Sequence, residues 1–346
     1  MELVERKRKI FKGEPTKFIE KAEPVSSQEV SKNLDLELSS ATIRKEMADL
    51  EELGYLAHPH TSAGKVPTDK GYRYYVDNLA HRKLNLSIKA KKDIPSIKLV
   101  VNESMEIEAI FQKASELLSR VTNYLSMVVA PTIYQSKLRH IELLKFQEDN
   151  LLLILITDTG GVCKKKFAAG SNYNNLDLQR VANILNLQLR EKNIKDIDAG
   201  SVKIPENDAY LVPLINKVIR LIKNWEEDSF AYNRFFIYGA YEVLQQPEFI
   251  DLKKIHDVLS VIRNEYLLMR LFMNLSREKE VTVKIGSEIS EEGTDGLSLV
   301  ASRYKVCSDS TGTIGILGPK RMDYNKVINI LSIFSRDLSG ILSSRE

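Results

Sequence analysis

The chain has 346 residues, of which 43% are hydrophobic and 28% are charged, and its formal net charge is +3. The apolar fraction is large enough to form buried cores, which excludes a fully disordered chain. Two cysteines exclude a disulfide framework and a four-cysteine zinc site.

The distribution of apolar and charged residues bears on where the protein is expected and what it binds. No run of about 18 apolar residues occurs, so we expect no transmembrane helix and no membrane partner. The first residues lack the apolar core of a secretion signal, so we expect a cytoplasmic protein. Residues 1–92 carry 18 basic and 14 acidic side chains, a bias too modest to indicate nucleic-acid binding without a motif.

The first 81 residues alternate between short helical and strand patterns. An apolar stripe predicts a helix over 5–22, which Gly13 and Pro15 interrupt. The patterns that follow predict a short helix at 28–32, a helix at 38–53, a strand at 55–58, a strand at 65–67 and a helix at 68–79. This order is the layout of a winged helix-turn-helix, which we assign to residues 1–81.

The rest of the chain begins with a basic stretch, residues 82–102, that we interpret as a linker. After a long helix at 103–127, the patterns predict strands at 138–146, 150–157 and 162–167 and helices at 176–189, 209–225 and 234–244, with two further helices within 252–274. Strands at 281–285, 297–304 and 312–317 and a helix at 323–342 follow. Strands on both sides of a helical block predict one α/β domain, at 103–175 and 278–346, with an all-helical insertion at 176–277. Residues 151–156 are apolar on both faces and predict a central strand.

The helix at 38–53 has the sharpest functional pattern. Its apolar positions share one face: Ile43, Met47, Leu50 and Leu53. Polar side chains therefore project near its N-terminus: Ser39, Ser40, Thr42, Arg44 and Lys45. In a helix-turn-helix, this end of the second helix meets base edges in the major groove, where Arg can pair with guanine. A solvated helix face with an N-cap has the same pattern, and the residues alone leave both interpretations open.

The hairpin after this helix offers weaker signals. Lys65 at its tip, with Gly64 allowing close backbone approach, fits a wing that contacts phosphate, although an ordinary turn fits as well. His58 and His60 lack a cysteine or carboxylate at ligand spacing, so we interpret them as surface or DNA-facing side chains and predict no metal site. The basic run at 6–9 could touch the DNA backbone, but such runs are commonly solvated.

Motifs of enzymes are missing from the sequence. There is no glycine-rich phosphate loop, no metalloprotease helix and no nucleophile elbow. The glycines at 312–318 lack the spacing of a dinucleotide fingerprint, and Pro319 follows them before any helix begins. We therefore predict no catalytic residue and no cofactor.

Two long strings carry a family resemblance. The stretch at 38–56 continues through 59–73, and the segments at 23–27, 157–162, 244–249 and 318–324 add further matches. Together they resemble the HrcA family of bacterial heat-inducible transcription repressors. Four positions depart from the family pattern. Gly13 and Pro15 fall where the family usually has an uninterrupted first helix. Lys45 stands where Asn is usual, and Lys65 replaces an Arg, which loses the planar fork of the guanidinium.

The resemblance implies an α+β multidomain fold, with an N-terminal winged helix-turn-helix and a GAF-like α/β domain that carries a helical dimerisation insert. It implies a homodimeric repressor that binds an inverted-repeat operator, the CIRCE element, in double-stranded DNA upstream of chaperone operons. It also implies a GroE-type chaperonin as partner, whose scarcity on heat stress leaves the repressor inactive. The DNA-binding residues that we predict are Ser39, Ser40, Thr42, Arg44, Lys45, His60, Lys65 and Arg73.

Two alternatives stay open from the sequence. One is a winged-helix regulator controlled by a small-molecule effector in its GAF-like domain, with the polar loops around Gly160 and Asp309 as ligand walls. The other is an enzyme that carries a DNA-binding module, which the lack of a convergent acid–base pair disfavours. Heat could be sensed through chaperonin supply or through marginal stability of the chain itself.

Overall fold

The computed structural model describes residues 7, 11, 18–19, 22–33, 39–59, 64–80, 95–102, 104–132, 136–147, 150–170, 172–198, 200, 202–224, 235–273, 280–306 and 310–344. The expectations about Gly13, Pro15, His60 and Asp309 concern positions outside these ranges. The described chain forms three units, one of which is inserted between the two segments of another. We call them the N-terminal unit (up to residue 80), the central unit (95–132 and 235–344) and the inserted unit (136–224).

Within its described residues, the N-terminal unit contains the elements α1 (Ser27–Asn33), α2 (Ser40–Glu52), β1 (Leu56–Ala57), β2 (Val66–Pro67) and α3 (Asp69–Ala80), and residues 7, 11 and 18–19 are also helical. The strands pair antiparallel, with Leu56 opposite Pro67. Apolar side chains from every helix and from β1 share one core with Phe11. The order and type of the elements from α1 to α3 match those predicted, with boundaries that differ by one or two residues.

The remaining elements are, in chain order, α4 (Ile107–Thr122), β3 (Leu125–Val129), β4 (Leu138–Gln147), β5 (Asn150–Thr157), β6 (Val162–Ala168), α5 (Asn175–Leu189), α6 (Val212–Lys223), β7 (Phe235–Tyr238), α7 (Ala240–Leu244), α8 (Leu252–Arg263), α9 (Glu265–Met273), β8 (Val281–Ile285), β9 (Leu297–Lys305), β10 (Thr311–Pro319) and α10 (Tyr324–Ser343). Among the described residues, no helix is long and apolar enough to cross a bilayer.

The central unit is a five-stranded antiparallel sheet in the order β7–β3–β10–β9–β8, with helices on both faces. Helices α4 and α10 cover one face, where Phe111 and Phe334 are fully buried. Helices α8 and α9 cover the other, where Phe272 packs in a second buried cluster with strand residues such as Leu299. Apolar residues on both sides of the strands explain their nearly continuous burial.

The domain boundaries predicted for this half of the chain were wrong. Strands β4, β5 and β6 do not join the central sheet but form a three-stranded antiparallel sheet of their own. Buried residues such as Leu153 share a core with α5 and α6, including Val181 and Ile215. The insertion therefore spans 136–224 and contains a sheet, instead of being all-helical over 176–277. The β5 strand is central, as predicted, but only one of its faces is buried.

Two shorter patterns were also interpreted wrongly. The helix predicted to 127 ends at Thr122, because Asn123 takes the left-handed conformation at φ +57° and the chain continues as β3. The helix predicted over 234–244 is a strand followed by a short helix. Gly239 separates them at φ +91°, where a Cβ atom would collide with the Ser119 side chain.

The end of the predicted linker belongs to the central unit. Ile97 is completely buried in the cluster under α4 and α10. The hydroxyl of Ser96 donates a hydrogen bond of 2.6 Å to the Asp337 carboxylate on α10. Ser96 and Ile97 therefore attach this end of the predicted linker to the central unit.

Candidate nucleic-acid interface

Helix α2 begins where a serine caps it. Ser39 is extended, at φ −65° and ψ 149°, and its Oγ accepts a hydrogen bond of 3.2 Å from the backbone N–H of Thr42. Gly54, at φ +76°, lies just after its C-terminal end. Both ends of α2 are therefore set by short-range signals that the sequence contains.

The apolar face of α2 holds the helix in place. Ile43, Met47 and Leu50 are 0 to 2% exposed and lie in the core of the N-terminal unit. Because these residues recur every three or four positions, the opposite face must point outward. Arg44 and Lys45 are exposed, whereas Ser40 and Thr42 are half-buried at the N-terminal end. The structure thus brings these polar residues together near one end of a packed helix.

Lys65 does not have the exposed position expected of a wing residue, and its contact with phosphate stays a prediction. Its side chain is buried, and its Nζ donates hydrogen bonds to the Met47 carbonyl (2.8 Å) and to the Glu51 carboxylate (2.7 Å) on α2. The hydrogen bond from Lys65 lowers the pKa of Glu51 below its usual value. His58 lies 3.6 Å from the same carboxylate.

The close approach at Gly64 is internal as well. Its neighbour Lys65 exchanges two backbone hydrogen bonds of 2.9 Å with Val25, which precedes α1. A Cβ atom at Gly64 would lie 2.6 Å from the Val25 carbonyl group. Glycine is therefore needed here because the hairpin packs against the backbone of Val25. The sequence suggested instead that Gly64 allows a close approach to DNA.

Two other basic side chains are engaged within the protein. Lys7, from the basic run at 6–9, donates a hydrogen bond of 2.7 Å to Asp49 on α2, which lowers the pKa of that carboxyl group. Arg73 on α3 faces the central unit and pairs with Glu288. Its guanidinium is therefore engaged by the central unit, and a contact of Arg73 with DNA stays a prediction.

A cavity of about 690 Å³ lies between the N-terminal and central units. Its apolar walls include Phe18 and Tyr72 from the first unit and Phe249 and Val258 from the second. Gly160, expected to line a ligand site, lies elsewhere, in the turn between β5 and β6. In the described ranges, no group of three or more His, Cys, Asp or Glu side chains could hold a metal ion.

Known proteins are similar to this chain over nearly its whole length. The model of the HrcA protein C-terminal domain matches residues 108–328. A heat-inducible transcription repressor HrcA of Natranaerobius thermophilus is 35% identical over 349 residues, covering 100% of this chain and 99% of its own. The repressor of the same name from Carboxydothermus hydrogenoformans is 36% identical over 342 residues, with 99% and 98% covered.

A solved structure supports the fold. The crystal structure of a hypothetical protein, determined at 2.2 Å resolution, superposes with a TM-score of 0.65 at 24% identity and covers 100% of both chains.

Full-length matches of this kind define a transcription repressor, a class of protein that is not enzymatic. The chain belongs to the HrcA family of heat-inducible transcription repressors. The family resemblance found in the sequence is therefore confirmed.

Proposed function

We propose that the protein represses chaperone operons as a homodimer, by binding an inverted-repeat operator of the CIRCE type in bacterial cytoplasm. The single observation that carries the proposal is α2. Its apolar face is buried, while Arg44 and Lys45 are exposed beside the hydroxyl groups at its capped N-terminus. In this proposal the N-terminal unit is a winged helix-turn-helix, and α2 is its recognition helix.

Each polar residue at this end of α2 has a distinct part in the proposal. Arg44 pairs with a guanine edge through its two parallel N–H groups, and Lys45 adds a point charge towards bases or phosphate. The hydroxyl-bearing residues Ser39, Ser40 and Thr42 contact phosphate, which fixes the register of the helix. His60, which lies outside the described residues, stays a proposed DNA contact.

The inserted unit offers a surface for a second copy of the chain. The inner face of its sheet packs on α5 and α6, while the outer face carries large apolar side chains: Leu144, Phe146, Leu152, Ile154, Ile156 and Val162. Across the middle of that face, Glu142, Ile154 and Lys164 form one row. A twofold axis that runs along β5 at Ile154, in the plane between the two sheets, would place Glu142 of each copy opposite Lys164 of the other, so the face is self-complementary about that axis. We therefore propose this unit as the dimerisation insert and the central unit as the GAF-like domain.

A dimer explains how a small reading unit reaches operator affinity. One winged helix makes few contacts, whereas two copies read both halves of a palindrome at once. Release on heating follows, in our proposal, from competition for a GroE-type chaperonin that the repressor needs to reach its DNA-binding form. Operator binding by the purified protein, heated with and without chaperonin, separates this route from direct thermal unfolding.

The test of the proposed function is a gel-shift titration with three duplexes: an inverted repeat, a single half-site and a scrambled sequence. We expect tightest binding to the inverted repeat and a steep fall in affinity between about 50 and 200 mM salt, because phosphate contacts release counterions. Equal affinity for all three duplexes would contradict the proposal, as would a flat response to salt.

A second candidate function is control by a small-molecule effector. The observation that favours it is the cavity of about 690 Å³ between the two units, a volume in the range of ligand pockets. A ligand there would contact the DNA-reading unit directly. Thermal-shift screening with metabolites tests it, with Phe249→Ala as the variant that should abolish any shift.

A further inference from the structure

Helix α3 is joined to the central unit by a carboxylate at its first residue. One oxygen of Asp69 accepts a hydrogen bond of 2.6 Å from Lys320 Nζ. The other accepts two from Ser287, at 3.0 Å from the backbone N–H and 3.1 Å from the hydroxyl. Burial raises the pKa of Asp69, but these bonds outweigh burial and leave the pKa below its usual value.

One turn further along α3, a guanidinium makes the second connection. Arg73 Nε donates a hydrogen bond of 2.7 Å to one oxygen of Glu288, and an Nη2 hydrogen bond reaches the other oxygen. Nη2 also donates to the Val283 carbonyl of β8, at 2.7 Å. The pairing is bidentate, a geometry that fixes orientation as well as distance. We name Asp69 and Arg73, together with Ser287, Glu288 and Lys320, the α3 latch.

Apolar packing between the two connections makes the joint rigid. Tyr72 and Val76, on the same face of α3, are 2% and 5% exposed and belong to the main core of the central unit. The ring of Tyr72 lies 6.0 Å from that of Tyr324 on α10. On its other face, α3 contributes Tyr74 to the N-terminal unit, 5.5 Å from the Phe11 ring. The helix is thus shared by two cores, and the α2 surface inherits its orientation.

A glycine permits the close approach of the two units. Gly286, at φ +49°, lies beside the latch, and a Cβ atom there would be within 2.4 Å of the Asp69 carboxylate. Gly170 also has a positive φ, of +77°, but nothing lies within 4 Å of its Cβ position. An alanine at either position would strain the backbone, but only an alanine at Gly286 would also disturb the contact between α3 and the central unit.

We propose that Asp69 and Arg73 are positioning residues that fix α2 relative to the dimer axis and so set the half-site spacing that the dimer can read. The inference rests on the proposed function. A reading unit on a free tether adapts to several spacings, whereas a docked one matches a single distance and a single rotation about the duplex. Because the latch acts through orientation, it should leave the affinity of one unit for one half-site unchanged.

The test compares the affinity of each protein for inverted repeats with spacers of different length and for a single half-site. An insertion of 5 bp rotates the second half-site by about half a turn. We expect the wild type to lose about tenfold or more in affinity on this insertion, whereas Arg73→Ala, Asp69→Asn and Gly286→Ala should lose about threefold or less. Half-site affinity should be the same for all four proteins, and Arg73→Lys should restore part of the spacing preference.

Two matched controls complete the design. Arg120→Ala removes an arginine ion pair of 2.6 Å to Glu116 within α4, and Gly170→Ala adds a Cβ at an open positive-φ position. Both should keep the wild-type spacing profile. Latch variants with an unchanged profile would overturn the inference while leaving the proposed function standing. A wild type that binds no inverted repeat would overturn both. If Gly286→Ala fails to fold, the two side-chain variants still decide.

Discussion

The ammonium group of Lys65 lies 2.7 Å from the carboxylate of Glu51, which joins the hairpin to the helix that we propose reads the operator. The same group donates to the Met47 carbonyl in the buried side of that helix. In this structure Lys65, which the sequence suggested as a phosphate contact, makes its hydrogen bonds within the N-terminal unit. These bonds make the orientation of the hairpin depend on that of α2.

Replacing Lys65 by Met should destabilise α2 without changing the electrostatics of DNA binding. The substitution removes the charge-assisted hydrogen bonds of Lys65 to the Met47 carbonyl and to the Glu51 carboxylate, which costs about 1–3 kcal/mol. Hydrogen exchange of the α2 amides should accelerate accordingly, while the slope of log affinity against log salt stays constant. Lys254→Met, at an exposed lysine on α8, is the control. A slope smaller by about one with unchanged exchange would instead make Lys65 a phosphate contact.

Arg44→Ala should weaken operator binding by about 1–3 kcal/mol, if the guanidinium pairs with a base edge. The loss should be confined to operators that carry the guanine in question and be absent from scrambled duplexes. Arg44→Lys keeps the charge but loses the planar fork, so it should recover non-specific binding and little of the specificity. Titrations of both variants on single-base operator variants measure this. Equal weakening on every duplex would reassign Arg44 to phosphate.

Ile154→Lys, on the outer face of the inserted sheet, should convert the proposed dimer into a monomer. A lysine at the twofold axis would meet its own copy, and two like charges in an apolar interface are strongly unfavourable. Sedimentation equilibrium should report the chain mass, and affinity should fall for the inverted repeat but not for a half-site. Leu187→Lys is the matched control, because Leu187 is 86% exposed on α5. A dimeric Ile154→Lys protein would place the interface elsewhere.

The stabilising effect of Asp69 should disappear in acid. Its pKa is lower in the folded chain than the unfolded value of about 3.9, so its contribution is present above about pH 5 and is lost as the pH falls through the folded pKa. The difference in unfolding free energy between wild type and Asp69→Asn should be constant from about pH 5 to 8 and shrink below about pH 4. Urea titrations measure it, with the exposed Asp295→Asn as control. A difference that changes between pH 6 and 8 would contradict this assignment.

Features with short-range causes were predictable from the sequence. The spacing of Ile43, Met47 and Leu50, the cap at Ser39 and the glycine at 54 together predict α2 and its outward face. These signals lie within about four turns of one another, and the structure places each of them as the pattern requires.

Features with distant partners were not predictable. Arg73 is 215 residues from Glu288, and no local pattern distinguishes an arginine that meets DNA from one that meets another domain. The position of the Lys65 side chain likewise depends on the Glu51 carboxylate, which lies on a different element, α2. Strands β4 to β6 have the same alternating pattern whether they join the central sheet or form their own, so the extent of the insertion depends on pairing that only the folded chain shows.

The inserted unit leaves and re-enters the central sheet between two neighbouring strands. Val129 at the end of β3 is the register partner of Phe235 at the start of β7, so the two attachment points are about 5 Å apart. Without the inserted unit, β3 and β7 could be joined directly as a β-hairpin. The inserted unit is therefore attached through two neighbouring points, so its length and sequence can differ without a change in the pairing of β3 with β7.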